Sequence, residues 1–306
     1  MRKRSSSSGG GRSSVCLRLE FSKPFCTPGE ELGCRLLINT ERPLRYKAVS
    51  AELTCCEKFF IKGSRLTRTP HRHTIEISGP GLALPPRKSF YFSIVIPRKA
   101  NPTYIGSSIL RIWRVKASVE LGLAPDISVE EALFIVGSIG QEGQRSASSF
   151  KDHLHMDIHL KKGLFFPGEI LEGSVLLSHP TAVRSLRVEI FAIEKLCVEP
   201  LGEISLARSL RRAVLPVKKV VSFALQAPNY SSFIDVCSSA TYVLKATASL
   251  RAGGELVVRL PISIGVLRTC GTGKGIPRVF RTQGFKLFER TSLGRGFTRL
   301  SPLSWS

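Results

Sequence analysis

Apolar and polar residues alternate along most of this chain with a period of two. Val15-Cys-Leu-Arg-Leu-Glu-Phe21 sets the pattern, and side chains that point to opposite faces in turn mark a half-buried strand. The same alternation predicts strands over residues 35–39, 48–57, 74–77, 90–96, 109–121 and 130–136. It resumes over 153–160, 171–178, 186–196, 218–226, 240–250 and 255–264. Helical periodicity is absent, and Gly, Pro or Ser breaks the runs at short intervals. That spacing belongs to a β-sandwich or barrel, so the expected class is all-β.

The two series of strands are copies of one another. Phe165-Phe-Pro-Gly-Glu-Ile-Leu-Glu-Gly-Ser-Val-Leu-Leu177 has a counterpart in Phe25-Cys-Thr-Pro-Gly-Glu-Glu-Leu-Gly-Cys-Arg-Leu-Leu-Ile38. In each, Pro-Gly reads as a tight turn, proline presetting φ and glycine supplying the positive φ that turns need. Val49-Ser-Ala-Glu-Leu53 with Glu57-Lys58 is echoed by Leu186-Arg-Val-Glu-Ile190 with Glu194-Lys195. Ser93-Ile-Val-Ile-Pro97 is echoed by Phe223-Ala-Leu-Gln-Ala-Pro228, and Trp113-Arg-Val-Lys-Ala-Ser-Val119 by Tyr242-Val-Leu-Lys-Ala-Thr-Ala248. Leu133-Phe-Ile-Val-Gly137 answers to Pro261-Ile-Ser-Ile-Gly265. Matches in one order with drifting offsets are what a duplicated fold leaves behind. Gly33 stands one place nearer its proline than Gly173 does, which predicts a local bulge in the first copy.

A length of 306 residues favours two domains over one core. The expected division is a basic tail over 1–14, a sandwich over 15–137 and a linker over 138–151. A second sandwich over 152–265 and a basic tail over 266–306 complete it. The Ser/Gly/Gln-rich stretch from Ser138 to Ser149 has linker composition, and Ala252-Gly-Gly-Glu255 reads as a hairpin turn. No apolar run approaches the roughly 20 residues of a membrane span. Met1-Arg-Lys-Arg-Ser-Ser-Ser-Ser-Gly lacks the apolar stretch of a secretory signal, and its glycines spoil the amphipathic helix of a mitochondrial presequence. Eight cysteines form no CxxC pair and are shared unevenly between the copies; a reduced, intracellular compartment is expected. The formal charge is +22, so anionic partners are expected, either nucleic acid or acidic lipid.

The Pro-Gly-Glu turns at 28–30 and 167–169 resemble the opening of each arrestin domain. The strands Trp113-Arg-Val-Lys-Ala117 and Tyr242-Val-Leu-Lys-Ala246 and the ending Leu256-Val-Val-Arg-Leu-Pro-Ile-Ser-Ile-Gly265 are similar to arrestin strands as well. The resemblance covers about residues 15–265. It implies two tandem immunoglobulin-like sandwiches and a non-enzymatic adaptor linking membrane cargo to sorting or signalling machinery. Its structural motif residues are Pro28, Gly29, Glu30, Pro167, Gly168 and Glu169. The small cargo-binding subunit of retromer shares that architecture. Many α-arrestins recruit ubiquitin ligases with WW domains through Pro-Pro-x-Tyr; here Pro85-Pro86 is followed by Arg87-Lys88, so that partner is not expected. The phosphate-sensing residues of visual arrestins match no particular positions.

His153, His155, Asp157 and His159 share one face of a predicted strand, but ligands about 6–7 Å apart along it cannot all reach one ion. A solvent-facing stripe is expected, and no metal; His71 and His73 are read the same way. Gly271-Thr-Gly-Lys-Gly275 fails the phosphate-loop frame at both ends, and no catalytic set can be assembled, so neither cofactor nor enzyme activity is expected. Asn101-Pro-Thr-Tyr104 spells an endocytic signal but lies between strands, where Asn-Pro makes an ordinary turn. Lys58, Lys62, Arg65, Arg68 and Arg72 form a predicted basic loop, matched in the second copy by Arg208, Arg211, Arg212, Lys218 and Lys219. In the tail, Lys286, Arg290, Arg295 and Arg299 interleave with Phe285, Leu287, Phe288 and Phe297, a composition suited to a membrane interface or a partner groove. These cations are the candidate anion- or membrane-binding residues. The leading expectation is a cytoplasmic adaptor for protein cargo or receptor tails, peripheral at a plasma or endosomal membrane. The alternative is a nucleic-acid-binding protein exploiting the same charge.

Overall fold

The computed structural model describes residues 15–267, apart from 62, 123, 140, 141 and 199–201. The chain is all-β, with a single turn of 3-10 helix, Pro180–Ala182, among the described residues. The alternation read from the sequence is realised as burial: Ala48–Ile61 buries nearly every second residue, and Ile109–Glu120 does the same.

Each half stacks two sheets. In the first, Val15–Phe21, Glu31–Thr40 and Arg87–Val95 form a three-stranded sheet in that order. Facing it is a sheet ordered Phe25–Cys26, Ile127–Ile135, Ile109–Glu120, Ala48–Ile61, Ser64–Ser78, with Tyr104–Ile105 paired onto Ile109–Glu120. Leu36, Ile38 and Ile94 from one sheet and Val49, Leu53, Trp113 and Leu133 from the other make a common core.

The second half repeats this order. Leu154–Leu160, Ile170–Leu177 and Val220–Gln226 correspond to the three-stranded sheet, with Ser146–Lys151 added on the outside. Leu164–Phe165, Glu255–Ile264, Ser238–Leu250, Val183–Val198 and Gly202–Leu215 form the facing sheet, and Phe233–Ile234 pairs with Ser238–Leu250. Its core also takes in Phe59, Ile61, Tyr104 and Ile109, the ends of first-half strands. A parallel pair, Ser138–Ile139 with Val266–Leu267, ties the halves as well.

Three expectations need correction. The stretch read as a linker contains strands, because Ser146–Lys151 finds a free edge on Leu154–Leu160. Both predicted basic loops are mostly strand: Ser64–Ser78 and Gly202–Leu215 are the outer strands of long hairpins. Their charge hid them, since an edge strand tolerates cations that a central one would not. No bulge accompanies Gly33: Phe21 pairs with Cys34 as Leu160 pairs with Gly173, without a register shift. The glycines are simply not equivalent, and Cys34 stands where Gly173 does.

The Pro-Gly-Glu turns are built alike. Gly29 and Gly168 adopt φ of 87° and 77°. Glu30 accepts the Thr27 N–H at 2.7 Å, and Glu169 accepts the Phe166 N–H at 2.9 Å. Lys23 reaches Glu30 at 2.9 Å, and Lys162 reaches Glu169. Burial pushes the Glu30 carboxyl up, but Lys23 and the Thr27 N–H outweigh it and hold the group below its ordinary value.

Two outcomes follow for stability. A Cβ on Gly173 would sit against the His159 carbonyl oxygen and 2.6 Å from Phe223 Cζ, whereas one on Gly33 would meet only Ser22 Oγ at 3.2 Å. Gly173→Ala should therefore cost about 1–3 kcal/mol and Gly33→Ala much less, read as melting temperatures; equal losses would refute the packing argument. Because the folded carboxyl is depressed, Glu30 stabilises fully above the ordinary value of 4.5 and loses its contribution as pH falls below it. Glu30→Gln should be less stable at neutral pH and show a shallower acid decline in urea titrations; parallel pH curves would count against the brace.

Candidate functional site at the junction of the halves

Strand parity places three charges where apolar residues belong. Glu57 follows Ala51, Leu53 and Cys55 on the inward face, Glu194 follows Val188, Ile190 and Ala192, and Arg111 lies between Ile109 and Trp113. All three are buried, at 1%, 3% and 0% exposure. All three lie at the junction of the halves.

Glu57 and Arg111 are register partners on adjacent strands. Arg111 Nε donates to Glu57 Oε1, and Arg68 Nε donates to Glu57 Oε2. Both arginines then cross to the second half. Arg111 Nη2 donates to Ser238 Oγ at 3.3 Å and lies 3.8 Å from Asp235 Oδ2, while Arg68 Nη2 lies 3.7 Å from the same oxygen. The Arg111 guanidinium stacks 4.4 Å over the Phe233 ring. Two cations and two anions cancel, which makes the burial tolerable.

Glu194 answers from the other side. Its Oε1 accepts from the Tyr104 hydroxyl at 3.1 Å, the Ser107 N–H at 3.0 Å and the Ser107 hydroxyl at 3.2 Å. Its Oε2 accepts from the Ser108 N–H at 2.7 Å and the Ser108 hydroxyl. Gly106 permits this approach, since a Cβ there would come within 2.7 Å of Glu194 Cδ. Burial, with Tyr242 and Glu194 beside it, pushes the Tyr104 hydroxyl far up, so it remains a donor. Gly137 N–H donates to Ser231 Oγ at 2.9 Å, and Phe25 packs edge-on to Phe166 with centroids 5.7 Å apart.

Tyr104, read as part of a turn, is thus committed to the junction, while Asn101 accepts from Trp113 Nε1 at 2.9 Å. The described members of the proposed basic clusters are divided between the two faces of their strands. Opposite Glu57, Arg68 faces inward and is spent on the junction. Arg65 pairs with Phe60 and Arg72 with Thr54 on the outward face, and Arg72 lies 3.4 Å from Glu52. In the second half Arg212 faces outward near Glu189 at 3.9 Å, while Arg208 and Arg211 lie on the opposite face, across from Ala192 and Ile190. Lys218 and Lys219 are exposed, and Lys58 is half-buried. Lys62, Lys286, Arg290, Arg295, Arg299 and the 271–275 run lie outside the described residues.

His155 and His159 are exposed on their strand, with His155 Nδ1 3.2 Å from Asp157; His153 precedes the strand. His71 packs on Trp113 with ring centroids 5.6 Å apart, and burial with His73 nearby keeps it below the ordinary imidazole value. Among the described residues no group of three or more His, Cys, Asp or Glu could hold a metal ion, and no helix is long and apolar enough to cross a membrane. A shallow hollow of about 210 Å³ on the second half is lined by Phe191, Ile193, Ala207, Val243, Lys245 and Arg259. No protein-family model matches the chain, and no curated protein matches it at a significant level.

Sequence reading missed the junction because Glu57 and Glu194 were taken with their neighbours as motif echoes and Arg111 only as part of a predicted strand. The available signal was a charge at core parity. Arg111→Ala would leave Glu57 buried beside Arg68 alone and should cost about 3–5 kcal/mol. Arg111→Met with Glu57→Leu should recover most of that loss in urea denaturation, because neither charge then stays unpaired. A double variant no better than the single one would refute an electrostatic origin.

Proposed function

We propose that this chain is an arrestin-like adaptor, with two tandem immunoglobulin-like sandwiches acting as a non-enzymatic scaffold. It links membrane-protein cargo to trafficking or signalling machinery at the anionic cytoplasmic face of a plasma or endosomal membrane. The observation that carries this reading is the repeated strand order, down to a Pro-Gly-Glu turn braced by a lysine in both halves. A rigid junction between like halves suits a scaffold, which must hold two binding surfaces in fixed relation. Sheet edges and the hollow beside Phe191 offer places for extended peptides.

Exposed cations on the outer strands and the following turn, among them Arg65, Arg208, Lys218 and Lys219, supply attraction to acidic headgroups. Each is worth about 1 kcal/mol near such a surface. Replacing Arg208, Lys218 and Lys219 by alanine should weaken binding to phosphatidylserine vesicles about 100-fold in flotation assays, with neutral vesicles left unbound throughout. Tight RNA binding at about 150 mM salt without vesicle binding would overturn the membrane assignment in favour of the nucleic-acid reading.

A further inference from the structure

Ser238 stands opposite Leu196 where Ser238–Leu250 runs antiparallel to Val183–Val198. One step outward, Cys197 and Cys237 face each other, and the Cys197 N–H donates to the Cys237 carbonyl oxygen at 2.9 Å. Directly opposed residues have Cα atoms about 4.5–5.5 Å apart and side chains on one face. Disulfides form over Cα separations of about 4.4–6.8 Å. Leu196 is buried and Cys197 beyond it is exposed, while Cys237, just before the strand, is half-buried.

Two further features single out this pair. Arg68 reaches Asp235 at the start of the same loop, which places a cation beside Cys237. The regular pairing also ends here, beside Val236, which is 91% exposed, so the loop can adjust to a new bond. The first half has the same backbone joint, Phe60 N–H to Ser108 O at 2.9 Å, but with Phe and Ser in place of the thiols. Cys26, Cys34 and Cys55 are buried in the core, and burial pushes them up to about 11, 12 and 12, so they persist as protonated thiols.

We propose that Cys197 and Cys237 form a peroxide-responsive dithiol, closing to a disulfide that ties loop 235–238 to the strand Val183–Val198. The Cys237 thiolate attacks one oxygen of hydrogen peroxide and the O–O bond breaks. The departing hydroxide takes a proton to become water, leaving a sulfenic acid. The Cys197 thiolate then attacks that sulfur, and the S–O bond breaks to release a second water. The two thiols give up two electrons between them, and the peroxide gains two. Loop 235–238 carries Asp235 and Ser238, which hold Arg68 and Arg111, so oxidation acts on the junction itself. This site is independent of the adaptor reading.

The test uses the full reduced chain, hydrogen peroxide at low molar excess, alkylation and non-reducing peptide mass spectrometry. A linked peptide containing Cys197 and Cys237, lighter by two hydrogens and reversed by dithiothreitol, should appear before any other pair. In Cys197→Ser, dimedone should instead trap a sulfenic acid at Cys237. Cys197→Ser and Cys237→Ser should melt with the wild type, which separates lost chemistry from lost folding. Oxidation of the two thiols singly in the wild type, a different dominant pairing, or no reaction at either would overturn the proposal.

Discussion

A fully buried arginine constrains the centre of this molecule. Arg111 has given up its hydration, and water's replacements come from both halves: the Glu57 carboxylate on the adjacent strand, Ser238 and Asp235 across the junction, and the face of Phe233. A pair of this kind adds little net stability, because desolvation offsets most of the Coulomb gain. What it does add is intolerance of misplacement. A slip of one residue in the pairing of Ala48–Ile61 with Ile109–Glu120 would strand both charges on opposite faces. The same slip would break the contacts of Arg111 with Ser238 and Asp235, so sheet register and the packing of the halves are coupled here.

The two halves bring matching positions to the junction and use them unequally. Glu57 and Glu194 occupy matching positions, yet Glu57 is neutralised by two arginines while Glu194 is held by neutral donors from Tyr104, Ser107 and Ser108. Ala240 stands in the second half where Arg111 stands in the first, judged by the alignment of Trp113 with Tyr242. The braced Pro-Gly-Glu turns, in contrast, kept both sequence and hydrogen bonds. Each turn answers only to its own half, whereas each glutamate had to answer to a neighbour.

Among the described residues, the cations of the outer strands are shared between two faces, as any strand requires, and some are engaged by Glu52, Glu57 or Glu189. Long-range attraction to an anionic surface depends on the sum of charges and survives such scattering. A tight site for one phosphate needs convergence, and the described members of the clusters named from the sequence are divided between strand faces.

The sequence by itself determined the all-β class, the duplicated order of strands and the glycine-dependent turns, because period-two burial and positive φ are local requirements written residue by residue. It also carried, unread, the charges at core parity in positions 57, 111 and 194. Tertiary structure alone decided that those charges come to the junction, that Lys23 and Lys162 brace the turns, that the two basic segments are edge strands, and that Cys197 lies opposite Cys237. Each of these depends on which strands become neighbours, a matter settled by the burial of whole sheets and not by any short stretch of chain.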